Sequence, residues 1–178
     1  MKTIYDLAEE IRRCTACPLW KGRTLAVPGE GKGKIMFVGE APTVEEDRQG
    51  LPFVGKSGKF LDEMLEIAGL KREDVFFTGI VKCHPPENRR PSIEEVKTCK
   101  EKWLEKQIEV LKPKLVVILG RVALKGLLGQ GNLKEIHGNV ITEKGLKFFI
   151  AYHPAEGMRF PVIKKKMEID FKKVRKLI

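Results

Sequence analysis

Four short apolar runs rich in β-branched and aromatic residues, at positions 34–39, 75–81, 115–120 and 147–152, alternate with stretches of helical periodicity. Of these stretches, 57–68 sets Phe60, Leu61, Met64, Leu65 and Ala68 on one face, and 92–111 opens with a Ser cap followed by acids. Strand, helix, strand in this order calls for crossover connections, so the chain is expected to form an α/β fold: a parallel sheet sandwiched between helix layers. A hairpin is expected over 137–149 with Gly145 at its turn. No repeat, low-complexity tract or linker divides the 178 residues, so residues 1–178 read as a single domain.

Open parallel sheets bind ligands where their strands end. Those ends carry Gly39-Glu40-Ala41-Pro42, Lys82-Cys83-His84-Pro85-Pro86, Gly120-Arg121 and His153-Pro154-Ala155. Three of the four are polar or Pro-rich beyond what a connecting loop requires.

Charge points to a polyanion. Lys and Arg number 34 against 24 Asp and Glu, a net charge of +10, and nucleic acid is the leading partner. The plain alternative is a solubilising surface. Half of the excess lies in residues 164–178, where Ile163, Met167, Phe171, Val174 and Ile178 recur at helical spacing. That segment reads as a packed amphipathic helix with a solvated basic face. The N-terminus shows no apolar signal segment and runs such as 115–119 are too short to span a bilayer, so a cytoplasmic, monomeric protein without a membrane partner is expected. Few Gln and Asn among many Lys and Glu is a bias of proteins from hot environments.

The four cysteines are Cys14, Cys17, Cys83 and Cys99. In a reducing compartment a metal site is the better reading than disulfides. A second Cys-x-x-Cys pair, usual in zinc ribbons, is absent; an iron–sulfur cluster tolerates the irregular spacing better, with zinc as the alternative and two disulfides as a minor one. Separately, residues 50–57 match the Walker A pattern. The match reads as accidental: a polar, acidic approach precedes it, Pro52 and Phe53 suit a phosphate cradle poorly, and no strand run ends in a magnesium-binding Asp.

Taken in order, Cys14-x-x-Cys17-Pro-Leu, Val27-Pro-Gly-Glu-Gly31, Val38-Gly-Glu-Ala-Pro42, Glu46-Asp47, Gly50-Leu-Pro-Phe-Val-Gly55, Val81-Lys-Cys-His-Pro-Pro-Glu-Asn-Arg89, Cys99 and Tyr152-His-Pro-Ala155 resemble the family 4 uracil-DNA glycosylases. The resemblance implies a three-layer α/β/α sandwich with a four-stranded parallel sheet, and a 4Fe-4S cluster on Cys14, Cys17, Cys83 and Cys99. It implies excision of a deaminated base, uracil above all, from flipped DNA. By the same resemblance Phe53 stacks on the base, His153 stabilises the departing base by hydrogen bonding, and Glu40 orients water or faces the sugar's positive charge. Ala41, Thr43 and Gly79 fall at base-binding positions. Lys56 and Ser57 at a helix start, Pro86, Asn88 and Arg89 on one loop, and Met158 and Arg159 on another are the expected DNA contacts, with Met158 as wedge. Glu46 and Asp47 are secondary acidic candidates.

Two departures stand out. Gly79 occupies the place of an Asn whose amide reads the uracil edge, and Thr43 replaces a Gly. The missing amide is expected to leave space for a different base, such as hypoxanthine, and Gly79→Asn to sharpen uracil preference. The competing class is an iron–sulfur DNA-binding protein that has lost excision.

Overall fold

The run Leu115–Leu119 is buried at every position, and Ile35–Gly39 at all but its first, the pattern of central strands covered on both faces. The computed structural model describes residues 2–178 and sets these two side by side in a six-stranded sheet. Its strands are β1 (Glu30–Gly31), β2 (Ile35–Gly39), β3 (Val75–Gly79), β4 (Leu115–Leu119), β5 (Val140–Glu143) and β6 (Leu146–Ala151), in the order β1-β3-β2-β4-β6-β5. The central four are parallel and coincide with the four apolar runs. β1 and β5 add antiparallel edges, so the sheet is mixed and wider than the four-stranded parallel sheet expected. β5 is the outer arm of the hairpin expected over 137–149, whereas β1, only two residues long, has no pattern to announce it. The β5–β6 turn is Lys144-Gly145, both at positive φ (49° and 81°), the conformation tight hairpin turns demand.

The helices are α1 (Ile4–Arg12), α2 (Val44–Gln49), α3 (Lys56–Ala68), α4 (Ile93–Cys99), α5 (Glu105–Leu111), α6 (Arg121–Leu128), α7 (Leu133–Ile136), α8 (Pro154–Arg159) and α9 (Pro161–Val174). α3, α8 and α9 pack on one another; α1 pairs with α5, and α4 with α6. Adjacent side chains of β3 divide between the layers. Phe77 meets Phe37 at 5.6 Å, and Phe37 stacks on Phe171 of α9 at 6.2 Å, whereas Phe76 lines the cleft beside α1. The result is a three-layer α/β/α sandwich.

Two helical expectations change. The stretch 92–111 is interrupted by a π-helical segment, Lys100–Leu104, directly after Cys99. In α9, Met167, Phe171 and Val174 are buried, but Ile178 is 53% exposed, because the helix ends at Val174 and carries its terminal residues off the core. No helix among the described residues is long and apolar enough to cross a membrane.

Candidate active site

The carboxyl ends of β2, β3 and β6 meet at one cleft of about 360 Å³, part of it open to solvent. Glu40, Ala41, Thr43, Phe53, Gly79 and His153 all line it, although they come from four separate parts of the chain.

Phe53 arrives from the loop between α2 and α3, and its backbone is left-handed (φ 51°), a costly conformation for a bulky residue that its surroundings must enforce. The enforcing group is Glu46. Its carboxylate, 5% exposed, accepts the Phe53 N–H at 2.6 Å through one oxygen and the Thr43 N–H at 2.6 Å through the other. Thr43 in turn caps α2. The ring of Phe53 lies over Gly39, where a Cβ would approach it to 2.8 Å, and is centred 6.4 Å from the His153 ring. Residues 50–57 therefore present an aromatic face, with the Phe53 N–H already committed, and form no phosphate cradle. Asp47 braces a different segment by accepting the Thr24 N–H at 2.9 Å.

His153 is the N-cap of α8, and its Nδ1 accepts the Ala155 N–H at 3.1 Å. The ring proton of the neutral form is therefore on Nε2, and a Cβ on Gly39 at the cleft would lie 3.7 Å from that nitrogen. Burial pushes the His153 pKa down to about 4, so the ring is neutral at physiological pH. Gly120 makes this placement possible: its φ is +91°, and a Cβ there would sit 3.0 Å from the His153 Cβ. Glu40 is half-buried, and burial raises its carboxyl above the usual range, with Arg90 opposing and Glu156 adding to the shift.

Lys56, Ser57, Asn88, Met158 and Arg159 line one groove beside the cleft, and Met158 is 43% exposed. Pro86 and Arg89 share the loop of Asn88 outside that groove. Arg89 donates to both oxygens of Glu95 at 2.9 and 2.8 Å, which clamps the loop onto α4. Glu87 and Asn88 both have φ 56°, so strained backbone recurs on this rim. His84 donates from Nδ1 to the Pro42 carbonyl at 2.6 Å and ties the loop after β3 to the one after β2.

Cys14 and Cys17 follow α1, Cys83 follows β3, and Cys99 ends α4. Burial raises the thiol pKa of Cys17 and Cys83 and pushes Cys99 up to about 12; the thiols also act on one another's charge. Arg23 donates to the Cys83 sulfur at 3.2 Å and to the Cys14 carbonyl at 2.7 Å, and Trp103 Nε1 donates to the Cys14 sulfur at 3.1 Å. Among the described residues no group of three or more His, Cys, Asp or Glu is disposed to hold a metal ion.

Residues 28–174 match the family model of the uracil DNA glycosylase superfamily. The chain belongs to the uracil-DNA glycosylase superfamily. It is 44% identical over 190 residues to a type-4 uracil-DNA glycosylase of Saccharolobus solfataricus, covering 100% of this chain and 88% of the relative. It is 42% identical over 189 residues to the type-4 enzyme of Sulfurisphaera tokodaii (99% and 86% covered). With that of Archaeoglobus fulgidus the identity is 41% over 188 residues (99% and 94% covered).

Within this superfamily fold, the space expected at Gly79 is not there. A Cβ would lie 2.7 Å from the Val81 carbonyl oxygen and 3.1 Å from that of Glu40, because Ile80 and Val81 turn back to donate to the Gly39 and Glu40 carbonyls. Gly79→Asn is therefore expected to lower stability by about 1–3 kcal/mol without sharpening base preference, as read by denaturant unfolding and by excision rates on competing bases. A stable variant with stronger uracil preference would contradict this packing.

Gly120 and Lys82 stood only among the strand-end segments, with no role of their own, Arg23 and Trp103 were not singled out in the sequence, and Glu46 was only a secondary candidate. A buried acid followed by a strained aromatic has no local signature, so only the folded chain shows that Glu46 and Phe53 are bonded.

Proposed function

We propose that this protein is a DNA repair glycosylase that flips a deaminated base, uracil foremost, into the cleft and hydrolyses its N-glycosidic bond, leaving an abasic site. The observation that carries this reading is the neutral His153 with its Nε2–H beside a cleft walled by Phe53. In the reaction the C1′–N bond breaks with its electron pair on the base. His153 donates a hydrogen bond to a base carbonyl as negative charge builds there. The Glu40 carboxylate faces the positive charge on the sugar. Water adds its oxygen to C1′ and releases a proton to solvent, and the departed base anion takes up a proton. Lys56, Ser57, Asn88, Met158 and Arg159 hold the strand around the extruded nucleotide.

The resident group that the family resemblance implies, a 4Fe-4S cluster, fits the donor set. Four thiols from three separate segments act on one another, and N–H donors already reach two of the sulfurs. A multi-iron core spreads its thiolates instead of converging them on one ion, which suits this set better than zinc. Cys14, Cys17, Cys83 and Cys99 would hold it, and it would supply a cross-link between the α1 segment, the end of β3 and α4.

Purified protein incubated with single- and double-stranded oligonucleotides holding uracil, hypoxanthine or xanthine, then treated with alkali, should give strand breaks foremost at uracil. Intact binding with no breaks on any substrate would overturn excision in favour of a silent DNA-binding protein. The acid limb of the rate profile is a further expectation. His153 stays neutral down to about pH 4, whereas the Glu40 carboxyl is raised. Activity should therefore fall as pH drops through the Glu40 value, and Glu40→Gln should be slower but lack that limb. An unchanged limb in Glu40→Gln would reassign it.

A further inference from the structure

Lys82 is 1% exposed, yet its ammonium has a full set of partners. Nζ donates to Thr78 Oγ1, to the Gly79 carbonyl at 2.7 Å and to Gln107 Oε1 at 2.6 Å. Gln107 is fixed in turn by donating to the Pro28 carbonyl at 2.6 Å, and Thr78 donates to the same oxygen at 3.1 Å. Three donors meet three acceptors, the count an ammonium satisfies and a neutral amine does not. All three acceptors are uncharged, so the charge is not cancelled where it is bound. Burying a cation in this way is unfavourable.

The far side of this network is the base cleft, since both Thr78 and Gly79 line it. With no side chain at Gly79, that part of the cleft wall is bare backbone. Lys82 engages the Gly79 carbonyl oxygen from behind, which keeps an acceptor from being turned on the carbonyl oxygens of a deaminated base.

We propose that Lys82 is a positioning residue for base excision: it locks the bare backbone wall of the cleft and sets a positive charge behind it, which favours the base as it becomes an anion. This rests on the glycosylase reading above. The electron pair of the C1′–N bond goes to the base as before; Lys82 exchanges no proton and forms no bond. The rival role is a counter-charge for Cys83 and Cys99 alone, since both sulfurs feel the Lys82 charge. The backbone N–H of Lys82 also favours the Cys99 thiolate, an effect that survives any change of side chain.

The two roles differ in how they depend on the leaving group. Fluorine at C5 withdraws charge from the base, so 5-fluorouracil needs less help to leave as an anion than uracil does. Single-turnover rates of Lys82→Met on otherwise identical duplexes should fall about 10–100-fold for uracil and several-fold less for 5-fluorouracil. Binding to abasic-site DNA and iron content should stay unchanged. Gln107→Leu keeps the ammonium but removes one acceptor and should show the same bias with a smaller loss; it carries the test if Lys82→Met does not fold. Equal losses on the two bases, or losses that follow iron content, would overturn the role of Lys82 alone. No cleavage by the unaltered protein would overturn it together with the glycosylase reading.

Discussion

Replacing His153 with Ala is expected to cut the single-turnover rate of uracil excision by about 10²–10³-fold, the loss typical of removing one preorganised oxyanion donor. The side chain has two separable tasks. Nε2–H faces the cleft, and Nδ1 caps α8 by accepting the Ala155 N–H. Ala removes both. Asn retains a capping oxygen but is too short to place a donor where Nε2 lies. His153→Asn should therefore recover about 1 kcal/mol of the stability lost in His153→Ala while staying as inactive. Excision rates alongside denaturant unfolding separate the two tasks. An Ala variant within tenfold of the unaltered rate would remove His153 from the chemistry.

Replacing Cys83 with Ser is expected to produce the largest structural effect. Cys83 links the end of β3 to the other cysteine segments, and its sulfur receives Arg23, whose guanidinium also holds the Cys14 and Arg12 carbonyls at 2.7 and 2.9 Å. If a cluster joins the four thiolates, its binding free energy is also folding free energy, on the order of 10 kcal/mol for structural metal sites. Cys83→Ser should then lose together the iron, sulfide and broad visible absorption that such a cluster would give. Its midpoint of thermal unfolding should fall by roughly 10 °C or more, several kcal/mol at 2–4 °C each for a chain of this size. The central strands should survive in far-UV circular dichroism, because β2 and β4 owe their burial to the two helix layers. Colourless unaltered protein with stoichiometric zinc would replace the cluster by a zinc site, and Cys83→Ser at full stability would deny either metal a structural role.

What was legible in the sequence was what neighbouring residues determine. The four apolar runs became the four parallel strands, Gly145 became the hairpin turn, and the order of short motifs around Cys14, Glu40, Phe53, Cys83 and His153 identified the family. Strand periodicity, turn conformation and motif spacing are properties of a few consecutive residues, so they can be read before the chain is folded. The short edge strand β1 lacks such a pattern, and Ile178 has one that outlasts its helix.

The tertiary structure alone decided which buried polar groups meet. Glu46 holds Phe53 in its left-handed backbone, Gly120 makes room for His153, and Lys82 joins Thr78, Gly79 and Gln107 behind the cleft. It also reversed the reading of Gly79, from an open space to a position closed by the Val81 and Glu40 carbonyls. Each of these depends on the close approach of segments that the crossovers bring together. A hydrogen bond or a carbon–oxygen contact is decided within tenths of an ångström, a precision set by the packing of the whole core and absent from any local pattern.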